Sequence, residues 1–270
     1  MELKFLTSGL LLVVCMLGAS CKQEPVDPEP PVVTPPVTPV FVPPTGSAIC
    51  LSFENFVGNA PLTLDQTLRY ENMNGDSFSV ELYKYYITNV AFMDNLGNTW
   101  FEPNSYHLVD AADTSSIKVY IDSMPSGTYT NVSFMIGVDS TRNVSGTQSG
   151  ALDPAKGMFW TWSSGYIMAK VEGRSPSSTT SFDLLVFHIG GYAGQFAGQR
   201  VATPSFNSDI ATVTTTSVPK IHVKSDLNEW FQSPNIIDFS SISNVSTPSA
   251  FSVLVADNYA NMFSITSIDN

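Results

Sequence analysis

The sequence predicts a mostly β chain: an antiparallel β-sandwich or barrel-like domain with a C-terminal helix, placed after a signal peptide and a proline-rich stalk. Three observations predict it. Short apolar stretches with strand periodicity recur between residues 77 and 223, separated by Gly, Pro and Asn turn signals. One late segment, 249–263, instead repeats its apolar residues near helical spacing. A block of prolines between 24 and 44 fits neither kind of element, because proline fixes φ and lacks the N–H.

The first elements are those of export. A polar start with Lys4 leads into an apolar run over 10–17, then Gly18, Ala19, Ser20 and Cys21. The run is short of the roughly 20 residues that cross a bilayer, so it reads as a removed signal segment. Small residues ending at a cysteine form a bacterial lipobox pattern, which makes Cys21 the lipidated residue. The alternative is an ordinary secretory signal with an incidental cysteine.

The 24–44 segment holds nine of the chain's 18 prolines and reads as an extended polyproline stalk, rising about 3.1 Å per residue. The expected organisation is 1–20 signal peptide, 21–46 lipidated cysteine and linker, and 47–270 β domain. The chain is expected outside the cytoplasm, tethered by lipid to the outer membrane on its periplasmic side or at the cell surface. Cys15 leaves with the signal and Cys21 is acylated, so Cys50 is the one thiol left. In Ala48-Ile49-Cys50-Leu51 its ordinary reading is a small core residue; the alternative is a reactive or metal-binding thiol.

Within the domain, Ser77-Phe78-Ser79-Val80-Glu81-Leu82 alternates polar and apolar as a half-buried strand does. Strand character continues over 85–93, 128–138, 158–171, 182–189 and 221–223. A helical turn is expected at 227–232 after Ser225. A longer helix is expected over 249–263, where Ser249 follows Pro248 and offers a capping hydroxyl.

The formal net charge is −12 with no Lys/Arg cluster, which argues against a nucleic-acid surface. No HExxH, CxxC, GxSxG or glycine-rich phosphate loop is present, so enzymatic function is not expected. Two segments stand out. Met158, Trp160 and Trp162 fall at alternate positions and would share one face of a strand; core packing explains such a row equally. His188 ends the apolar run Phe182-Asp183-Leu184-Leu185-Val186-Phe187, just before Gly190-Gly191, and is either a hydrogen-bonded core residue or a ligand. His107 has the same two readings, and His222 reads as a strand residue. Imidazole and thioether together suit copper better than magnesium or calcium.

Taken in order, Tyr106-His107-Leu108-Val109-Asp110, Ile136-Gly137-Val138-Asp139, Leu152-Asp153-Pro154, Gly157-Met158-Phe159-Trp160-Thr161-Trp162, Ser164-Gly165-Tyr166 and Phe187-His188-Ile189-Gly190-Gly191 resemble the MbnP-like proteins. Ala256-Asp257-Asn258-Tyr259 with Asn261-Met262-Phe263 is similar too, so the resemblance spans the whole β domain.

The resemblance implies a copper-binding β protein of the periplasm or cell surface. It implies a tryptophan oxidised to kynurenine by a partner di-haem, peroxidase-like enzyme. Carried onto this chain, Trp160 or Trp162 is the residue modified and His188 the imidazole ligand, with His107 and Met158 completing the candidate set. Two departures stand out: 192–206 lacks the cysteines many relatives carry, and 243–247 lacks the His and Met found before the last helix. The alternative function is a stalk-displayed module that recognises glycan or peptide.

Overall fold

A computed structural model describes residues 47–160 and 165–270; the signal segment, Cys21, the stalk and Trp162 lie outside the described residues. Among the described residues fifteen strands are present: β1 (Ile49–Val57), β2 (Ala60–Pro61), β3 (Asp65–Glu71), β4 (Ser77–Asp94), β5 (Thr99–Phe101), β6 (Tyr106–Asp110), β7 (Lys118–Ile121), β8 (Gly127–Ile136), β9 (Ile167–Arg174), β10 (Leu184–Gly190), β11 (Arg200–Ala202), β12 (Ala211–Val213), β13 (Lys220–Asp226), β14 (Asn244–Val245) and β15 (Phe263–Asp269). Two α-helices accompany them, α1 (Ser140–Asn143) and α2 (Ala250–Tyr259).

The strands form two curled sheets. The smaller runs β15-β13-β1-β2, with β7 also on β1; the larger runs β11-β8-β4-β9-β10-β14, with β3, β5 and β6 on β4 and β12 on β8. Most pairings are antiparallel, as expected, but β1–β13 and β10–β14 are parallel. The sheets face each other across an aromatic core. Phe53 of β1 meets Tyr85, Phe134 and Phe263 edge-on, with ring centroids 5.9, 6.2 and 5.8 Å away. The Tyr85 hydroxyl donates to Asn55 Oδ1 at 3.0 Å, satisfying a polar atom that the packing would otherwise strand.

β4 organises the large sheet. The two predicted stretches at 77–82 and 85–93 are one 18-residue strand. Register shifts between Val80 and Leu82, and between Thr88 and Ala91, change which residues face the core. That is why its buried residues break strict alternation. The stretch expected as one strand from 158 to 171 is instead divided. Phe159 makes only an isolated bridge to Tyr166, and β9 begins at Ile167. Phe182 is not the first residue of its strand: it takes a left-handed φ of 63° in a 3-10 turn, 80% exposed, and β10 begins at Leu184.

The predicted helix is α2. The Ser249 hydroxyl accepts from the Ser252 N–H while Ser252 Oγ accepts from the Ser249 N–H, a reciprocal cap. It ends at Tyr259, and Phe263 belongs to β15 rather than to the helix. Asn258 is fully buried yet satisfied: its amide donates to the Trp230 and Asn235 carbonyls at 2.9 and 2.6 Å and accepts from the Asn235 N–H. The helical turn at Leu227–Phe231 also forms, but Asp226 caps it, not Ser225. Ser225 Oγ is instead bonded to the Tyr83 hydroxyl at 2.8 Å in the core.

Candidate functional site on the outer face of the large sheet

The face of the large sheet turned away from the aromatic core carries a second apolar cluster. Tyr86 of β4, Met168 of β9, and Met158, Trp160 and Tyr166 from the covering segment form it with Val138, Leu152 and Ile167. Tyrosine hydroxyls hold the cover down. Tyr86 donates to the Ala151 carbonyl at 3.2 Å and Tyr166 to that of Leu152 at 2.9 Å. Tyr106 of β6 donates to Asp139 Oδ2 at 2.5 Å, and the Arg142 guanidinium lies over its ring, 4.7 Å from the centroid. Several motif positions that carry the family resemblance are thereby explained as braces.

Beside this cluster runs a polar row. Register places Asp110 (β6), Lys84 (β4), Lys170 (β9) and His188 (β10) side by side across four strands. Lys84 bonds Asp110 at 2.8 Å and Lys170 bonds Glu172 at 3.0 Å. The same lysines donate to the carbonyls of Lys156 and Gly157, at 3.3 and 3.5 Å. They therefore support the base of the loop that delivers Met158 and Trp160.

His188 Nε2 donates to Glu172 Oε1 at 2.8 Å. The His188 hydrogen bond, opposed by partial burial and reinforced by Lys170, lowers the Glu172 carboxyl to about 2. Glu172 is therefore an ionised acceptor, and it fixes the His188 proton on Nε2. In the neutral ring Nδ1 then carries the lone pair, and it bonds no other described residue.

Two residues on, Gly190 lies under Trp160. A Cβ at Gly190 would overlap the six-membered ring of the indole. Gly191, at φ +94°, then turns the chain, and a Cβ there would strike the Phe196 carbonyl. Trp160 is 4% exposed and Met158 fully buried, so both pack in the cluster. They are placed there by backbone bonds to the start of β9, Ile167 N–H to the Met158 carbonyl at 2.9 Å and Trp160 N–H to the Gly165 carbonyl at 3.2 Å, rather than by a continuous strand.

The remaining histidines stand apart. His107 pairs in register with Ile87, an odd number of rows from Lys84, so it faces away from His188 on the opposite side of the sheet. Its Nε2 bonds Glu102 at 2.8 Å, and it lines a groove of about 590 Å³ with Tyr106, Leu108, Lys118, Tyr120 and Lys156. His222 lies in the small sheet. Cys50 is 2% exposed in β1, with its thiol pushed up by burial, as a core residue would be.

Among the described residues, no group of three or more His, Cys, Asp or Glu is placed to hold a metal ion. The donors present fit one imidazole ligand with its orienting carboxylate, not a complete ligand set. The exposed phenylalanines Phe101, Phe182, Phe196 and Phe251 lie on four separate elements.

Residues 46–248 match the family model for MbnP. The chain belongs to the MbnP family. The match covers both sheets up to the approach to α2, including every element of the outer-face cluster. MbnP membership places the chain among copper-associated proteins. Among solved structures, MbnP from Methylosinus trichosporium is similar at 13% identity and a TM-score of 0.48, over 76% of this chain and 82% of that one. No curated protein matches the sequence.

Sequence reasoning missed the residues that hold the site together. Glu172 lies in a plain alternating strand, and Lys84 and Lys170 look like solvated charges. Only the cross-strand register brings them to His188 and to the loop base. The one available signal was two lysines at outward positions of alternating strands.

Proposed function

We propose that this chain is an exported, lipid-anchored MbnP protein that binds copper outside the cytoplasm and is not itself an enzyme. His188 is its imidazole ligand. The observation that carries the reading is the Glu172–His188 pair two residues from the glycine on which Trp160 rests. A carboxylate behind a histidine orients the ring and raises its basicity at the other nitrogen. No group of described His, Cys, Asp or Glu forms around it, and the modified tryptophan is the further donor in this reading.

The tryptophan step belongs to this reading. Oxygen inserted across the C2–C3 bond of Trp160 or Trp162, followed by hydrolytic loss of C2 as formate, yields kynurenine. Its aniline nitrogen and ketone are donors that an indole lacks. The oxidant is supplied by a partner di-haem, peroxidase-like enzyme. Cys21 lipid and the 24–44 stalk would keep the domain at the outer membrane.

Copper titration of the β domain, with and without the di-haem partner, tests the ligand assignment. One equivalent is expected to bind the natural domain, with His188→Ala losing it. Glu172→Gln should weaken binding by about 10- to 100-fold, the usual cost of removing an orienting partner. Equal copper binding by the natural domain and His188→Ala would refute the assignment. Peptide mass spectrometry of protein from the native host reports whether Trp160 or Trp162 has gained oxygen and lost carbon, and whether Cys21 carries lipid.

A further inference from the structure

We propose that His222 is a proton-controlled latch that holds the outer end of β15 against the small sheet and, through Asn270, against the large one. Both ring nitrogens face carboxylates. Nδ1 lies 2.7 Å from Glu54 Oε1 on β1, and Nε2 lies 3.0 Å from Asp269 Oδ2 on β15. An ionised carboxylate only accepts, so both nitrogens must donate, and only imidazolium has two N–H groups. The neutral ring would leave one nitrogen lone pair facing a carboxylate oxygen.

The surroundings decide which contact yields. Glu54 makes the shorter bond, is 41% exposed, and sits within β1 beside Lys224 of β13. Asp269 is 65% exposed and its bond is longer. The inner residues of β15, Phe263 and Ile265, are buried in the core, but Ser267 and Asp269 are exposed and the pairing slips at His222/Val223. The outer end of the strand is thus held by its ladder, the part-buried Ile268 and this ion pair. Just beyond it, Asn270 Oδ1 accepts from the Thr212 N–H at 2.6 Å and its amide donates to the Ile210 carbonyl at 3.0 Å. Thr212 belongs to β12 of the large sheet, so releasing Asp269 loosens a tie between the two sheets.

Other charges face His222 from each neighbouring strand. Lys220 and Lys224 flank it on β13, and Lys118 of β7 lies in its row beyond Ser52. Lys224 is already bonded to Asp226 at 3.0 Å. The lysines oppose protonation from a distance, whereas the two carboxylates touch the ring, and contact prevails. The Glu54 hydrogen bond, against partial burial and with help from Asp269, raises His222 above its ordinary 6.5. A raised histidine contributes fully below its unfolded value and loses that contribution as pH rises through its folded value. The latch therefore closes below the ordinary histidine value of 6.5 and opens as pH rises through the raised one.

Hydrogen exchange of the residue 266–270 amides, expressed as protection factors between about pH 5 and 9, tests this, with ring ¹⁵N shifts reporting the protonation state. Protection is expected to fall by up to about fivefold as His222 loses its proton, the size of a part-exposed ion pair. His222→Gln should make protection independent of pH. Asp269→Asn should lower it at every pH and return the His222 titration toward 6.5. A single neutral tautomer in the acidic arm, or protection unchanged through the titration, would overturn the proposal.

Discussion

At the scale of single residues, the site depends on what is missing at Gly190. The Trp160 ring occupies the volume where any side chain would stand, so Gly190→Ala must move either the indole or β10. Overpacking of this kind costs about 1–3 kcal/mol, measurable as a lower urea midpoint with an unchanged m-value. Trimming the ring as well, in Gly190→Ala with Trp160→Leu, should recover part of the loss if the clash is its cause. A sequence reader sees the paired glycines and infers a turn, which Gly191 does make. That the other glycine serves the approach of a ring thirty residues earlier is invisible without the third dimension. His107 and His188 teach the same lesson. Each looked like a plausible ligand, but strand parity across β6, β4, β9 and β10 sets them on opposite faces, and parity between strands depends on register.

At the scale of elements, α2 was legible because its signals are local. Ser249 supplies the cap, the apolar residues repeat at helical spacing, and nothing distant must be known. Ser249→Ala removes the acceptor for the Ser252 N–H and should destabilise the domain by about 1 kcal/mol, read from chemical denaturation. Ser249→Asp should restore most of it, because Asp caps as well as Ser. β1 and β15 were not legible as strands. β1 mixes Asn and Glu into its second half, and β15 alternates with serine and threonine over a few residues. Their strand character comes from partners far along the chain. The Met158–Trp160 segment misled in the opposite direction, since its single bridge, Phe159 to Tyr166, buries alternate residues as a longer strand does.

At the scale of the whole molecule, acid resistance should depend on Asp76. Burial pushes its carboxyl up, but Ser177, the Phe239 N–H, Asn74 and Asn72 all hydrogen-bond the charged form and bring it below its ordinary 3.8. A depressed carboxylate contributes stability above its unfolded value and loses it as pH falls through its folded value. Denaturation midpoints should therefore drop as pH falls below 3.8, and Asp76→Asn should reduce that drop while lowering stability at neutral pH. An equal acid slope in the variant would assign the sensitivity elsewhere. The contact matters globally because Asp76 joins the β3–β4 turn to the segment before β14.

The parallel pairing of β1 with β13 sets a timetable for folding. Cys50 lies beside Lys220 and Phe56 beside Asp226, so the centre of the small sheet joins ends of the domain about 170 residues apart. Nothing within the first half of the chain can stand in for β13. The large sheet can begin to assemble through β4 and β8, which are near neighbours in sequence, while the first strand waits with one edge open. Loop closure of that length makes folding slow and highly cooperative at its last step. Until β13 arrives, a chain emerging from the ribosome has no finished small sheet to close over the aromatic core.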